Sequence, residues 1–300
     1  MTIKATIIQD SVCNGSRITT FELEYPRFIH AELMTHRQFS RNAASSRAIP
    51  IEKMHEHVLS NPATPIHWGA NQAGMQAKQE LTGVFLSGAK AVWQSALEEA
   101  VRWSKALASI GLHKQLANRV TEPFQVMKTV VTATEWDNWY WLRNHEDAQP
   151  EIHELAKQMW EASQASKPLE ISMYHWHVPY VTRDKDNLGQ VWYKDNQGTV
   201  ITAEVARIIS ASCCAQVSYR KSDDGVDKAK IIYDRLILSS PVHASPVEHQ
   251  AKPMRSSASY LGDTGMWEPG ITHVDRKGHY WSGNFKGWIQ FRQLIPNNSK

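Results

Sequence analysis

The sequence predicts a globular chain that mixes β-strands with α-helices, and three observations carry that prediction. Residues 3–9 and 18–25 are β-branched or alternating apolar runs separated by Asn14-Gly15, a strong hairpin signal. From Lys78 to Ile110, apolar residues recur at helical spacing (Leu81, Phe85, Ala89, Val92, Leu97, Val101, Leu107), and Gly111 stops the run. No apolar run approaches the roughly 18 residues a membrane-spanning helix needs.

The remaining elements follow in order. Pro26 stops the second strand, and Phe28 to Met34 reads as a short helix. Residues 48–76, rich in His, Pro, Gly and Asn, read as a long irregular excursion. Leu112 to Val120 reads as a short helix ended by Pro123. Residues 124–143 and 150–164 read as helices, with Pro150 suited to a helix start. The segment 168–200 reads as strands and turns, and 203–219 and 226–238 as two further helices. Residues 256–300 are Gly-, Ser- and Trp-rich with little periodicity. No internal repeat and no Pro/Ser linker divides the chain, so a single domain over 1–300 with insertions is expected.

Composition narrows the function classes. With 42% hydrophobic and 21% charged residues, the 300-residue chain can bury a sizeable core. A net charge of +3 and the lack of a basic stripe argue against a nucleic-acid coat or membrane patch and suit a small anionic substrate. Cys13, Cys213 and Cys214 form neither a disulfide framework nor a CxxC pair. With no signal-peptide pattern in Met-Thr-Ile-Lys-Ala-Thr, they point to a reducing, cytoplasmic setting. Of the 12 Trp residues, several (Trp68, Trp139, Trp141, Trp281, Trp288) sit among polar neighbours, where they serve as packing or as stacking surfaces. His55-Glu56-His57 has no matching distal ligand set and reads as a solvated loop rather than a metal site.

The chemistry concentrates at His36-Arg37-Gln38-Phe39-Ser40-Arg41-Asn42-Ala43-Ala44-Ser45-Ser46-Arg47. Guanidinium groups, an imidazole, hydroxyls and an amide crowd into three helical turns or one loop. Arg offers a planar fork of donors that matches phosphate, and hydroxyls and backbone N–H groups complete a cradle. The plain alternative is a solvated polar loop.

This cluster resembles the R-H-R-x-x-S-x-N-x-x-S-x-R signature of flavin-dependent thymidylate synthases. Thr35 stands at the first Arg, and Ala43 where an acidic residue commonly follows the Asn. Arg119-Val-Thr-Glu-Pro123 is similar to that family's Arg-x-x-x-Pro. Asn138-Trp-Tyr-Trp-Leu-Arg143, followed by Ala148-Gln149 and Glu151-Ile152, is similar to its Asn-x-x-x-Leu-Arg and Ala-Gln-x-Glu-Ile. His243-Ala-Ser-Pro-Val-Glu248-His249 resembles its His-x-Ser/Thr-Pro-Phe-Glu-His, and Ala215-Gln-Val-Ser-Tyr219 its Ala-Arg-Val-Ser-Tyr. In the family these last two segments precede the R-H-R signature; here they follow it. The resemblance therefore implies a circular permutation. Residues 18–165 would match the usual second half and 203–252 the first, with 168–200 and 256–300 as additions.

The resemblance implies an α+β fold, an antiparallel sheet flanked by long helices. It implies transfer of a one-carbon unit from methylenetetrahydrofolate to C5 of dUMP, giving dTMP, with FAD as cofactor and NADPH as reductant. It further implies a homotetramer with shared active sites, and a compact permuted enzyme of this kind would suit a virus, acting in the host cytoplasm. Thr35, His36, Arg37, Asn42, Asn138 and His249 fall on the FAD side. Glu32, Ser45, Ser46, Arg47, Arg119 and Arg143 fall on the nucleotide side, and Arg143 and His249 are the catalytic candidates. Asn138 and Arg143 lie about 140° apart on a helix, so both can border one cleft.

The chain departs from the pattern at four places. Glu32 replaces a Gln on the nucleotide side. Thr132-Ala133-Thr134 replaces an Asn-x-Arg that touches FAD, Thr35 removes an Arg, and Ala43 an acid. Each lost charged hydrogen bond costs about 1.5–3 kcal/mol, and the Trp-rich tail or Arg292-Gln293 is the expected compensation. Glu32 and Ala43 keep open a dCMP substrate or a 5-hydroxymethyl-dUMP product, and the lost FAD contacts a non-catalytic nucleotide-binding homologue. Cys213-Cys214 has no Pro-Cys-His/Gln setting, so no cysteine nucleophile is expected.

Overall fold

The computed structural model describes residues 3–218, 225–255 and 267–299. Strands β1 (Lys4–Cys13) and β2 (Ser16–Pro26) form the expected hairpin. Asn14 and Gly15 take φ of 48° and 78°, the two left-handed residues such a turn requires. A bulge between Ile7 and Gln9 shifts the register of β1. After Pro26 one turn of 3-10 helix leads into α1 (His30–Met34).

Three expectations are corrected here. Residues 40–43 of the polar cluster are neither helix nor loop but an edge strand, β3 (Ser40–Ala43). Inside the segment expected to be irregular lies α2 (Ile51–Ser60), preceded by Pro50. His55-Glu56-His57 is therefore helical, with His55 buried against the hydroxyl of Ser104 at 2.8 Å. Residues 126–133 form β4 (Val126–Ala133) rather than the start of a helix. β4 sits between β3 and β2 and is buried on both faces, so its Val-rich run shows no alternation.

The helices α3 (Gly83–Ser109), α4 (Lys114–Ala117), α5 (Asp137–Arg143) and α6 (Pro150–Ala165) match expectation in kind. A short β5 (Leu169–Glu170) pairs parallel with β1 and completes a five-stranded sheet in the order β3-β4-β2-β1-β5, antiparallel elsewhere. Strands β6 (Thr182–Lys185), β7 (Val191–Lys194) and β8 (Val200–Ile201) make a separate small sheet. α7 (Ala203–Ala215) and α8 (Val226–Ile237) follow. β9 (Ala251–Pro253) pairs with the late strand β13 (Trp288–Gln290); between them lie β10 (His273–Val274), β11 (Tyr280–Ser282) and β12 (Phe285–Lys286).

The main sheet buries both faces, so the molecule is α+β. One face carries Phe21, Leu23, Tyr25, Met127 and Val131 against Ile152, Leu155 and Met159 of α6. On the other, Ile18 joins Trp176, Val178, Ile209 of α7, Val247, Phe285 and Trp288. Cys213 and Cys214 are buried on α7, as a structural role requires. Trp139 and Trp288 are fully buried and belong to these cores; Trp141 is exposed.

Candidate active site

The second face of the sheet is not wholly apolar. Reading straight across four strands, Ser40 pairs with Thr132, Thr132 with Thr20, and Thr20 with Gln9. This row of buried polar side chains needs partners, and it finds two imidazoles. Thr20 Oγ1 lies 2.8 Å from His177 Nε2, and Thr132 Oγ1 lies 2.8 Å from His249 Nδ1. Burial holds both rings neutral, with the His249 pKa pushed down to about 3 and that of His177 well below its usual value. His249 Nε2 is buried without a hydrogen-bond partner among the described residues.

Segments distant in the chain close over the polar cluster. Asn42 donates through Nδ2 to the Cys214 carbonyl (3.1 Å), and the Ser45 amide donates to Ser218 Oγ (2.8 Å). Ala215–Ser218 thus lies beside the strand and loop that carry Asn42 and Ser45; Tyr219 is outside the described residues. The 3-10 turn Ser245–Glu248 lies against β3, where Gln290 Nε2 bridges Ser40 Oγ (3.0 Å) and the Glu248 carbonyl (3.1 Å). Glu248 is held up from its ordinary pKa by burial, partly offset by Arg292, and Arg41 faces it. Arg292 is therefore committed to Glu248 and, through Nη2, to the Asn298 carbonyl, which corrects its expected role as a spare phosphate ligand.

Arg143 closes α5 and points back to α1. Its Nη1 lies 3.2 Å from Glu32 Oε2, and its Nε donates to His36 Nε2 at 3.1 Å. His36 is buried between Phe39 and Trp139, with ring centroids 5.7 and 4.7 Å away. Burial first, then the cations Arg143 and Arg41, lower its pKa to about 4. A neutral His36 can accept from the guanidinium; a charged one cannot. Glu32 and Arg143 border a broad cleft of about 1430 Å³.

The loop Ser45–Arg47 stands elsewhere. Asn118 clamps it by donating to the carbonyls of Ser46 (2.8 Å) and Ile49 (3.0 Å), which sets Arg119, next in the chain, beside the loop. Arg119 itself is exposed and reaches Glu122 at 3.3 Å. Ser46 lines a second cavity of about 330 Å³ with Arg27, His57, Lys128 and Ser218. Arg37, Arg47 and Asn138 are exposed, and Thr35 is spent on the Glu32 carbonyl at 2.7 Å, closing α1. One chain therefore gathers Glu32, His36 and Arg143 at one cleft and Ser45, Ser46, Arg47 and Arg119 near another. His249 is buried behind the sheet row; Thr20 and His177 join these groups without any local motif that marks them, whereas Ser218 lies in the Ala215–Tyr219 motif and Thr132 at a position where the chain departs from the pattern.

A family model described as "Thymidylate synthase complementing protein" matches residues 16–169, just over half of the chain. The chain belongs to that family. It is accordingly an enzyme of the methyltransferase type. Among solved structures, the UMP/dUMP methylase PolB from Streptomyces cacaoi bound with 5-Br UMP matches at TM-score 0.46 and 16% identity, covering 54% of this chain and 89% of that one. The same enzyme bound with 5-Br dUMP matches at TM-score 0.42 and 17% identity, over 54% and 90%. No curated protein matches the sequence. Among the described residues no helix is long and apolar enough to cross a membrane, and no cluster of His, Cys, Asp and Glu could hold a metal ion.

Proposed function

We propose that this enzyme transfers a one-carbon unit from methylenetetrahydrofolate to C5 of a pyrimidine deoxynucleoside monophosphate, dUMP first, giving dTMP, with FAD as cofactor and NADPH as reductant. The observation that carries the reading is the closure of Ala215–Ser218 and Ser245–His249 over the strand and loop that carry Asn42 and Ser45. Those are the segments whose order a circular permutation exchanges, and their contact here supports it.

Each residue then has a task. Ser45, Ser46, Arg47 and Arg119 hold a phosphate near charge −2, for which two guanidinium forks and two hydroxyls are a fitting donor set. Arg143 faces the pyrimidine edge and stabilises the negative charge that develops as C5 becomes nucleophilic. Glu32 and His36 hold the Arg143 fork in place. Since the two groups open on different cavities, a homotetramer with nucleotide bound between copies accounts for both, one copy supplying the phosphate donors and another Arg143.

The FAD-side residues fit that cofactor. Arg37 and Asn138 are exposed donors, and His249 carries a buried ring nitrogen that lacks a partner among the described residues. Thr35 and Asn42 are held by the fold and would shape this side rather than grip it. When bound, FAD supplies the hydride and relays the carbon. The protein's part is to bind, orient and exclude water.

The Glu32 carboxylate beside Arg143 supports a second substrate, dCMP, because a carboxylate accepts a hydrogen bond from a cytosine amino group. Incubating the purified enzyme with FAD, NADPH, methylenetetrahydrofolate and each nucleotide, then weighing the products, tests both. A methyl or hydroxymethyl mass gain on dUMP or dCMP is the expected result. No gain on either nucleotide, with FAD taken up or not, overturns the reading.

A further inference from the structure

A continuous run of hydrogen bonds leads from Arg183 on β6 to His249. Arg183 Nη1 donates to Ser11 Oγ (2.8 Å), and Ser11 Oγ lies 2.7 Å from His177 Nδ1. His177 Nε2 lies 2.8 Å from Thr20 Oγ1, which lies 2.7 Å from Thr132 Oγ1, 2.8 Å in turn from His249 Nδ1. Ser11, Thr20, Thr132, His177 and His249 are all fully buried. Arg183 is a donor at both ends of its fork, its Nη2 reaching the Asp10 carbonyl at 3.0 Å.

Such a run has two possible directions, and proton counting separates them. If Ser11 gives its hydroxyl proton to His177 Nδ1, then His177 Nε2–H donates to Thr20, Thr20 to Thr132, and Thr132 to His249 Nδ1. Only the His249 Nε2–H, itself buried, is then without an acceptor among the described residues. Run the other way, His177 Nδ1–H donates to a Ser11 oxygen that already accepts from Arg183. The Ser11 proton then has no acceptor, and His249 Nε2 is an unused acceptor besides. A guanidinium never accepts, so it cannot relieve Ser11.

We propose that Arg183 is a positioning residue. It sets the direction of the run and so holds His249 as the tautomer with its proton on Nε2, leaving that atom as the donor. What His249 donates to rests on the function proposed above; the tautomer does not. Burial keeps both imidazoles neutral, so the tautomer is a real choice near pH 7. The device also gives the inserted segment 168–200 a purpose, since it brings both His177 and Arg183 to the sheet.

Long-range 1H–15N correlation spectra of the full-length 15N-labelled protein at pH 7 read the tautomer directly. The His249 signals are assigned by sequential connection and by their loss in His249→Asn. The wild type is expected to show His249 protonated at Nε2 as the major form, since each direction leaves one buried proton without an acceptor and the reverse direction leaves a buried acceptor unused besides. Arg183→Met should bring the two tautomers toward parity, and Arg183→Lys, which restores a cationic donor, should return the wild-type pattern. Ser11→Ala cuts the run at its second member and provides the same test if Arg183→Met does not fold. A wild-type His249 protonated at Nδ1, or a His249 pattern unmoved by both Arg183→Met and Ser11→Ala, overturns the proposal. Absence of turnover on every nucleotide would remove the proposed function while leaving the tautomer result standing.

Discussion

Arg143 and Glu32, on helices far apart in sequence, meet through Nη1 and Oε2 at 3.2 Å. Both side chains are partly open to solvent, so the pair contributes at most about 1 kcal/mol to stability. Its value is directional: it aims a guanidinium fork at the cleft. Arg143→Ala should therefore keep its fold, with unfolding free energy within about 1 kcal/mol of wild type. It should lose turnover about 10²–10³-fold. Urea melts and kcat/KM check the two halves, and wild-type rates would refute the role.

Ser218 offers a second test. Its hydroxyl accepts the Ser45 amide at 2.8 Å and fixes the loop that carries Ser46 and Arg47. Ser218→Ala leaves that amide without a partner, at about 1 kcal/mol in a half-buried position. A preformed loop becomes mobile, so KM for the nucleotide should rise several-fold with kcat little changed. Steady-state kinetics on both enzymes decides it.

Acid should weaken the protein through its buried imidazoles. His36 has a folded pKa near 4, against 6.5 when exposed. Its contribution is fully present above about pH 6.5 and is lost as pH falls from there toward 4, because the unfolded chain binds the proton first. A shift of this size corresponds to about 3 kcal/mol, and His249 acts in the same direction with its pKa near 3. Stability from urea melts should fall between pH 6.5 and 4. His36→Asn should flatten the slope in that window.

Trp139 packs edge-on to His36 at 4.7 Å and is fully buried. Trp139→Ala should cost about 3–5 kcal/mol by opening a cavity. It should also free His36 to turn away from Arg143. Calorimetry reads the first effect, and a loss of turnover beyond the loss of folded protein reads the second.

Parts of this architecture are legible in the sequence for physical reasons. Asn14-Gly15 announces its hairpin because few residues tolerate two positive φ angles. The long α3 shows its period. β4 does not: a strand buried on both faces has no alternation, and Val126–Ala133 passes for helix. β3 lacks β-branched residues altogether, and it is a strand because β4 offers it an edge. At the site, motif spacing singles out His36, Arg143 and His249. Thr20 and His177 are invisible locally, because their importance comes from meeting partners more than a hundred residues away.

The late strand β13 sits beside the first hairpin, where Trp288 Nε1 donates to Ser16 Oγ at 3.1 Å across 272 positions of chain. During synthesis the β1–β2 hairpin can form as soon as it leaves the ribosome, yet the layer behind it stays unfinished until β13 has emerged as well. Nascent chains halted before Trp288 should thus carry folded strands and no working enzyme, and catalytic competence should arrive only after β13 has paired.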